Sequence, residues 1–398
     1  MNLFQVDDWC RYQFFKKISS GIDSDYLFIT HRYGIYVRLK LKKEKVLLIK
    51  KNINIEKMSD VETQDTKAEW LSRYDANIFI NSLFYSIDNI DDKISIIHIW
   101  NGSRTFDYAL KMYARLNEIK TIFYENANFD KRIIVDPYGV NAKSKLFLDN
   151  EYLKIIANNK IDTKHDFDDY LNWKKKYINS KINSHIVKQA NLKLSLIDRF
   201  FYFIDKLAFI FNVTPKTEKI LNLKARFYKL ILDKSCLKEG KIGKSKYLFF
   251  PLQVSTDSQL LLNSRYDNIS ALKYANELSK KEDMKLVIKL HPAEKDVNQL
   301  SEIKEIIKDK NIILSNENTF KLIECADKVI TINSTVGLEA KLMGKKVLTL
   351  GDCFYDKYND IDIYHYIFSY LIKADYFGSE KISAESINEI FSRVKNEN

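Results

Sequence analysis

The chain has 398 residues, of which 45% are hydrophobic and 29% charged, and 64 Lys and Arg against 53 Asp and Glu leave a net charge of +11. That length suits two globular domains, and the basic balance favours anionic partners without choosing among nucleic acid, anionic lipid and phosphate-bearing substrates. The scattered Cys10, Cys236, Cys325 and Cys353 exclude a zinc-ligand spacing or a disulfide framework, and no run approaches the ~20 apolar residues of a spanning helix.

The N-terminus, "MNLFQVDDWCRYQ", carries acids where a signal peptide needs a basic start, so a reducing, cytoplasmic setting is expected. "DYLFIT" (25–30), "KVLLIK" (45–50) and "ISIIHIW" (94–100) read as buried strands. "RTFDYALKMYARLNEI" has helical spacing, and "KTIFYE" is strand-like again. Strands alternating with helices predict a parallel sheet with crossover helices over residues 1–150. Residues 151–245 change character, with long helical patterns, lysines and aromatics. There "LSLIDRFFYFIDKLAFIF" (194–211) is apolar but interrupted by Asp198, Arg199, Asp205 and Lys206. It predicts a helix packed on a core or lying at a membrane surface.

Over residues 246–398 the alternation returns. "YLFFPLQ", "KLVIKLHP", "NIILSN", "KVITIN" and "KVLTLG" read as strands, with helices "SALKYANELSKKE", "FKLIECA" and "TVGLEAKLMG" between them. The predicted class is therefore α/β, with two Rossmann-like domains facing across a cleft and a helical linking region. Ligands of such sheets bind outside the carboxyl ends of the strands, so the strand-end residues are the candidates.

Three strand ends stand out in the C-terminal domain. Gln253, Ser255, Thr256, Asp257, Ser258 and Gln259 crowd the loop after "YLFFPL". This is either a turn capped by Asp257 or a carboxylate kept ionised by neighbouring donors such as Gln253, Ser255 and Ser258. His291 emerges from "KLVIKL" beside Pro292, where an imidazole can donate to a phosphate oxygen. Asn333, Ser334 and Thr335 end a strand and open a helix. They act as a cap and also present free N–H groups to an anion. Glu339 lies one turn further and can accept from ribose hydroxyls. Neither GxGxxG nor GxxxxGK[ST] is present, which points to a nucleotide bound differently from NAD or ATP. In the N-terminal domain "HRYG" with His31, "NGSR", and "YENANF" with Glu125 are polar strand ends placed to line an opposite wall.

"FFPLQVSTDSQ", "KLHP", "NSTVGLEAKLMGKKVLTLG" and, in the first half, "YEN" with "DPYGVNAKS" resemble the bacterial capsule polysaccharide biosynthesis family, and within it the retaining β-Kdo glycosyltransferases. The resemblance covers most of residues 94–147 and 247–356. It implies a GT-B architecture and a CMP-β-Kdo donor. His291, Ser334 and Thr335 would hold the phosphate and Glu339 the ribose, with Gln253, Gln259 and Asn333 also on the donor side. It further implies double displacement through Asp257, with Glu125 and His31 in acid/base or acceptor contacts. The partners it implies are a CMP-sugar and a saccharide or lipid-linked acceptor, with peripheral contact at the inner membrane. No metal or other cofactor is expected. Transfer from another CMP- or NDP-sugar, such as CMP-sialic acid, and sugar-nucleotide epimerisation are the alternatives. Nucleic-acid binding is not expected, because no helix-turn-helix, RRM or zinc signature accompanies the basic charge.

Overall fold

The computed structural model describes residues 1–54, 60–159, 167–183, 195–216, 242 and 245–395. Two compact units emerge. Unit 1 comprises Met1–Leu153, Lys193–Lys219 and Ile367–Asn398, and unit 2 comprises Lys154–Leu192 and Ile220–Tyr366.

Unit 1 is built on β1 (Asn2–Gln5), β2 (Tyr26–Thr30), β3 (Val46–Leu48), β4 (Ile96–Trp100), β5 (Lys120–Asn126) and β6 (Arg132–Asp136). Of these, β3-β2-β1-β4-β5 run parallel in that order, and β6 is antiparallel to β5. The strands read as continuous apolar runs because helices cover the sheet. One face packs Phe4, Phe14, Phe15, Phe28 and Tyr124 into an aromatic core.

Unit 2 holds β7 (Tyr247–Pro251), β8 (Lys285–Lys289), β9 (Ile312–Leu314), β10 (Lys328–Thr331) and β11 (Lys346–Thr349), all parallel, in the order β11-β10-β7-β8-β9. The chain closes with β12 (Ile372–Lys373), which pairs antiparallel with β6 of unit 1. In each unit the first strand sits between the second and the fourth. The order therefore reverses between β1 and β4 in unit 1, and between β7 and β10 in unit 2. Such a reversal opens a crevice at the carboxyl ends of the two strands.

The α/β class and the paired Rossmann-like sheets agree with the sequence reading. The division of the chain differs from the predicted one. Residues after Ile367 return to unit 1, because Ile372 pairs with Ile133 and because Ile387, Ile390 and Val394 are buried in its core. The stretch expected to link two domains is itself shared. Helix Phe167–Ile182 belongs to unit 2, where the Tyr170 hydroxyl donates to Asp360 at 2.9 Å and Lys174 pairs with the same carboxylate at 2.7 Å. Helix Leu196–Ile210 belongs to unit 1. The lysine-bearing stretch "NLKARFYKLILDK" lies outside the described residues. No described helix is long and apolar enough to cross a membrane.

Candidate functional site

In unit 2 the loops leaving β7, β8 and β10 are tied together by buried polar side chains. Gln253, 5% exposed, donates through Nε2 to Asn333 Oδ1 at 3.0 Å, and its Oε1 accepts the Asn333 backbone N–H at 3.2 Å. Asn333 in turn donates to the carbonyls of Gln259 at 2.9 Å and Asn263 at 3.2 Å. This knot joins the strand ends on the two sides of the crevice. The loop after β8 is held by Glu294. It is 2% exposed and accepts from the Ser255 backbone N–H at 2.7 Å, the Ser255 hydroxyl at 3.0 Å and Gln299 Nε2 at 2.7 Å. The backbone N–H groups of Lys295 and Asp296 complete its shell at 2.6 and 2.7 Å. A buried carboxylate needs such a set of donors to offset the lost hydration. Sequence reasoning missed Glu294. Its only signal was an acid two residues past a strand-end proline, in "HPAE".

His291 is exposed beside that loop, and its Nδ1 accepts the Ala293 backbone N–H at 3.0 Å. The bond leaves Nε2 as the protonated nitrogen of the neutral ring, the tautomer a donor to an anion requires. Ser334 caps helix Thr335–Leu342 through a bond from the Val336 N–H at 3.2 Å, and Thr335 is exposed at its first turn. The helix approaches its neighbours so closely that a Cβ on Gly337 would lie 2.6 Å from the Tyr355 hydroxyl oxygen. That hydroxyl donates to the Ser334 carbonyl and so braces the cap. Burial pushes the Glu339 carboxyl up to about 7, against the opposing pull of Lys181. Near neutral pH it can therefore act as either acceptor or donor.

Asp257 corrects one expectation. It caps helix Ser258–Leu262 by accepting the Gln259 N–H at 2.8 Å. Two of the three side chains expected to hold it are engaged elsewhere: Gln253 faces Asn333 and Ser255 faces Glu294. Burial raises its carboxyl above the ordinary range, and only the Gln259 N–H works against that. The cap reading and the strand-end position both hold. The expected cage of ionising donors does not.

Unit 1 carries a separate pocket of about 210 Å³, lined by Asp7 after β1, His31 and Arg32 after β2, Asp65, Arg104 after β4, and Asp205. His31 is 8% exposed, and its Nδ1 has no hydrogen-bond partner among the described residues. Burial lowers its pKa to about 3, outweighing the attraction of Asp7. That state suits a neutral hydrogen-bonding contact and does not suit a proton donor near neutral pH. Glu125 is not part of this lining. It accepts from Asn101 Nδ2 and from the Asn126 N–H. The "DPYGVNAKS" loop closes on buried Asp136, which accepts from the N–H groups of Tyr138 and Lys145, each at 2.9 Å, and from the Tyr370 hydroxyl at 3.0 Å. That motif shapes a loop. Among the described residues no group of three or more His, Cys, Asp or Glu is placed to hold a metal.

Residues 210–358 match the family described as capsule polysaccharide biosynthesis protein. Protein FixF of Sinorhizobium fredii is 38% identical over 114 residues, which is 28% of this chain and 27% of that protein. The match thus spans about a quarter of that relative's length. Among solved structures, the KpsC β-Kdo 2,7 transferase of Thermosulfurimonas dismutans aligns over 100% of this chain and 99% of its own, at 14% identity and a TM-score of 0.44. The UDP-GlcNAc 2-epimerase of Methanocaldococcus jannaschii aligns over 98% and 99%, at 13% identity and a TM-score of 0.34.

Proposed function

We propose that unit 2, which holds most of the residues matching the family described as capsule polysaccharide biosynthesis protein, binds a CMP-activated sugar, CMP-β-Kdo, and that the enzyme transfers the sugar to a glycan acceptor with retention. The observation that carries this reading is the convergence of the STDSQ, HPAE and NST loops at the point where the order of the unit 2 sheet reverses. Open α/β sheets bind nucleotides at such points.

In this reading His291 Nε2 and the capped N-terminus of helix Thr335–Leu342 receive the phosphate, with the Thr335 hydroxyl beside it. Glu339 receives a ribose hydroxyl. Gln253, Gln259 and Asn333 set the spacing of the two loops. The Asp257 carboxylate attacks the anomeric carbon, the bond from that carbon to the phosphate oxygen breaks, and CMP leaves with its electron pair. The acceptor hydroxyl then attacks the same carbon and releases the carboxylate, while its proton passes to a base or to water. Two inversions give net retention. The phosphate charge is met by the imidazole and the helix N-terminus, so no metal is needed.

The acceptor is proposed to be anchored in the inner membrane. Helix Leu196–Ile210 turns Leu196, Ile197, Phe200, Phe203 and Ile210 to solvent on one unit, beside Arg199 and Lys206. An apolar face flanked by basic residues suits an anionic bilayer surface.

The test is to incubate the protein with CMP-Kdo generated in situ and a panel of glycolipid acceptors, with and without EDTA. Transfer unaffected by EDTA is the expected result. A strict Mg²⁺ or Mn²⁺ requirement, or turnover of a sugar nucleotide without any acceptor, would overturn the reading, the latter in favour of an epimerase.

A further inference from the structure

Three strand ends of unit 2 are joined by more than the Gln253–Asn333 knot. Two of their loops each contain a tight turn. The Asp257 N–H donates to the Val254 carbonyl at 2.9 Å, and the Glu294 N–H donates to the His291 carbonyl at 3.0 Å. Ser255 lies inside the first turn, and its two bonds to the Glu294 carboxylate fasten that turn to the second. Asp257 and His291 therefore belong to two turns that share one buried carboxylate.

From that carboxylate a chain of buried amides runs back to the knot. Gln299 Nε2 donates to Glu294 Oε2 at 2.7 Å, and Gln299 Oε1 accepts from Asn268 Nδ2 at 3.0 Å. Asn268 opens helix Asn268–Lys281 and is fully buried. Its Nδ2 also donates to the Gln253 carbonyl at 2.7 Å, and its Oδ1 accepts the Gln253 N–H at 3.1 Å. Gln253 then binds Asn333. The run Glu294–Gln299–Asn268–Gln253–Asn333 thus crosses the ends of β8, β7 and β10 without a break. An amide can be turned end for end, whereas an ionised carboxylate only accepts, so Glu294 sets the direction of the Gln299 amide. Its Oε2 takes the Ser255 N–H and Gln299, and its Oε1 takes the Ser255 hydroxyl and the N–H groups of Lys295 and Asp296. A buried polar network satisfied at each member is stiff.

We propose that Glu294 is the positioning residue of the donor site. It holds the Asp257 turn in register with the His291 turn, so that a sugar whose phosphate is seated beside His291 presents its anomeric carbon to Asp257. This rests on the transferase reading for the roles of Asp257 and His291. The two turns depend on Glu294 differently. The His291 turn is closed by the Glu294 backbone and survives a change of side chain. The Asp257 turn is tied to Glu294 through the side chain alone. In Glu294→Gln the amide orientation with fewer conflicts keeps the Lys295 and Asp296 bonds and sets Nε2 against two donors, the Ser255 N–H and Gln299. The substitution therefore loosens the Asp257 turn and leaves the phosphate turn in place.

The experiment uses the full chain as wild type, Glu294→Gln and Ser255→Ala. Three quantities are read: CMP affinity by calorimetry, the rate at which Kdo becomes attached to the protein from CMP-Kdo alone, and amide hydrogen exchange without ligand. In Glu294→Gln the attachment rate at saturating donor should fall about a hundredfold, the scale of a displacement of about 1 Å at a reacting centre. CMP affinity should change by less than about threefold, since CMP carries no sugar for Asp257 to reach. Exchange should quicken over residues 253–262 and not over helix Thr335–Leu342. Ser255→Ala removes one of the same bonds from a half-buried side chain. It should slow attachment by about two- to tenfold and add little to Glu294→Gln, and it decides the matter if Glu294→Gln does not fold. An unchanged attachment rate in a folded variant, an equal loss of CMP affinity, or exchange quickened evenly through unit 2 overturns the proposal. A wild type to which no Kdo attaches would count against the double displacement, and the exchange pattern then decides by itself whether Glu294 holds the turn.

Discussion

Gln5 and Gln253 do the same work in two different sheets. Gln5 ends β1, and its Oε1 accepts the Trp100 N–H of β4 at 2.7 Å. Gln253 follows β7, and its Oε1 accepts the Asn333 N–H beyond β10 at 3.2 Å. Each glutamine fastens the first strand to the fourth across the crevice, where an apolar side chain could pack but could not fix loop spacing. Gln253 was legible because it opens a crowd of polar residues. Gln5 was not, because it sits inside a short stretch read only for a targeting signal. Glu294 escaped because the neighbouring His-Pro pair drew the chemistry. Asp257 was recognised both as a cap and as a candidate nucleophile, but two of the donors assigned to it in sequence, Gln253 and Ser255, bond elsewhere, a fact of loop geometry that spacing cannot reveal. The imidazole of His291 carries the sharpest expectation at this scale. Truncation to alanine removes one charge-assisted bond to the donor phosphate, worth about 1.5–3 kcal/mol, or roughly ten- to a hundredfold in CMP affinity. Calorimetric titration with CMP checks it, and an unchanged affinity would move the phosphate site elsewhere.

Strands and helices with strong periodicity were legible almost to the residue. "ISIIHIW" becomes β4 (Ile96–Trp100), and "TVGLEAKLMG" becomes helix Thr335–Leu342. Among the strands, those not read from the sequence are β1, β6 and β12, which are short or antiparallel, and helices such as Arg73–Asp88 and Val297–Ile306 were not read either. "HRYG" was read as a polar strand end, and its glycine has a packing reason. A Cβ on Gly34 would lie 2.1 Å from the Phe201 carbonyl oxygen, because helices Tyr33–Leu41 and Leu196–Ile210 of unit 1 touch backbone to backbone there. Asp205 binds the Gly34 N–H and Arg32 together, so one contact fixes both the helix pair and a pocket wall. Gly34→Ala should cost about 1–3 kcal/mol, the usual range for forced overpacking, and lower the Tm by about 2–4 °C for each kcal/mol in a unit of this size. Thermal unfolding checks this, and an unaltered Tm would mean the helices slide apart freely. The outer face of helix Leu196–Ile210 predicts binding to anionic liposomes that weakens in salt, since each basic residue near such a surface adds about 1 kcal/mol. Flotation at low and high salt reads it, with Phe200→Ser and Phe203→Ser, both on exposed residues, expected to reduce it. No flotation at low salt would return the face to a purely structural role.

At the scale of the molecule, the five parallel strands of each sheet share one order, and each sheet places polar strand ends at its reversal point. Alternation of strand and helix patterns made that architecture legible. The path of the chain between the units was not legible, because residues after Ile367 join the first unit through a two-strand pairing and buried Ile387 and Ile390, contacts far apart in sequence. The candidate site was legible in unit 2, where motifs mark the loops. In unit 1 His31 was singled out, but its pocket companions Asp7, Asp65 and Asp205 come from three separate segments with no common pattern. The central claim is that unit 2 works through an attacking Asp257. Burial raises that carboxyl. A raised folded-state pKa means the ionised form is lost at a higher pH than usual, so kcat/KM should fall on acidification from a point above the ordinary carboxylate range. The most direct test is intact-protein and peptide mass spectrometry of the wild type with CMP-Kdo alone, beside Asp257→Asn. The account predicts one Kdo residue added to the peptide containing Asp257, and a folded Asn variant with no adduct and almost no transfer. An Asn variant that keeps substantial transfer, or a product of inverted anomeric configuration, would contradict it.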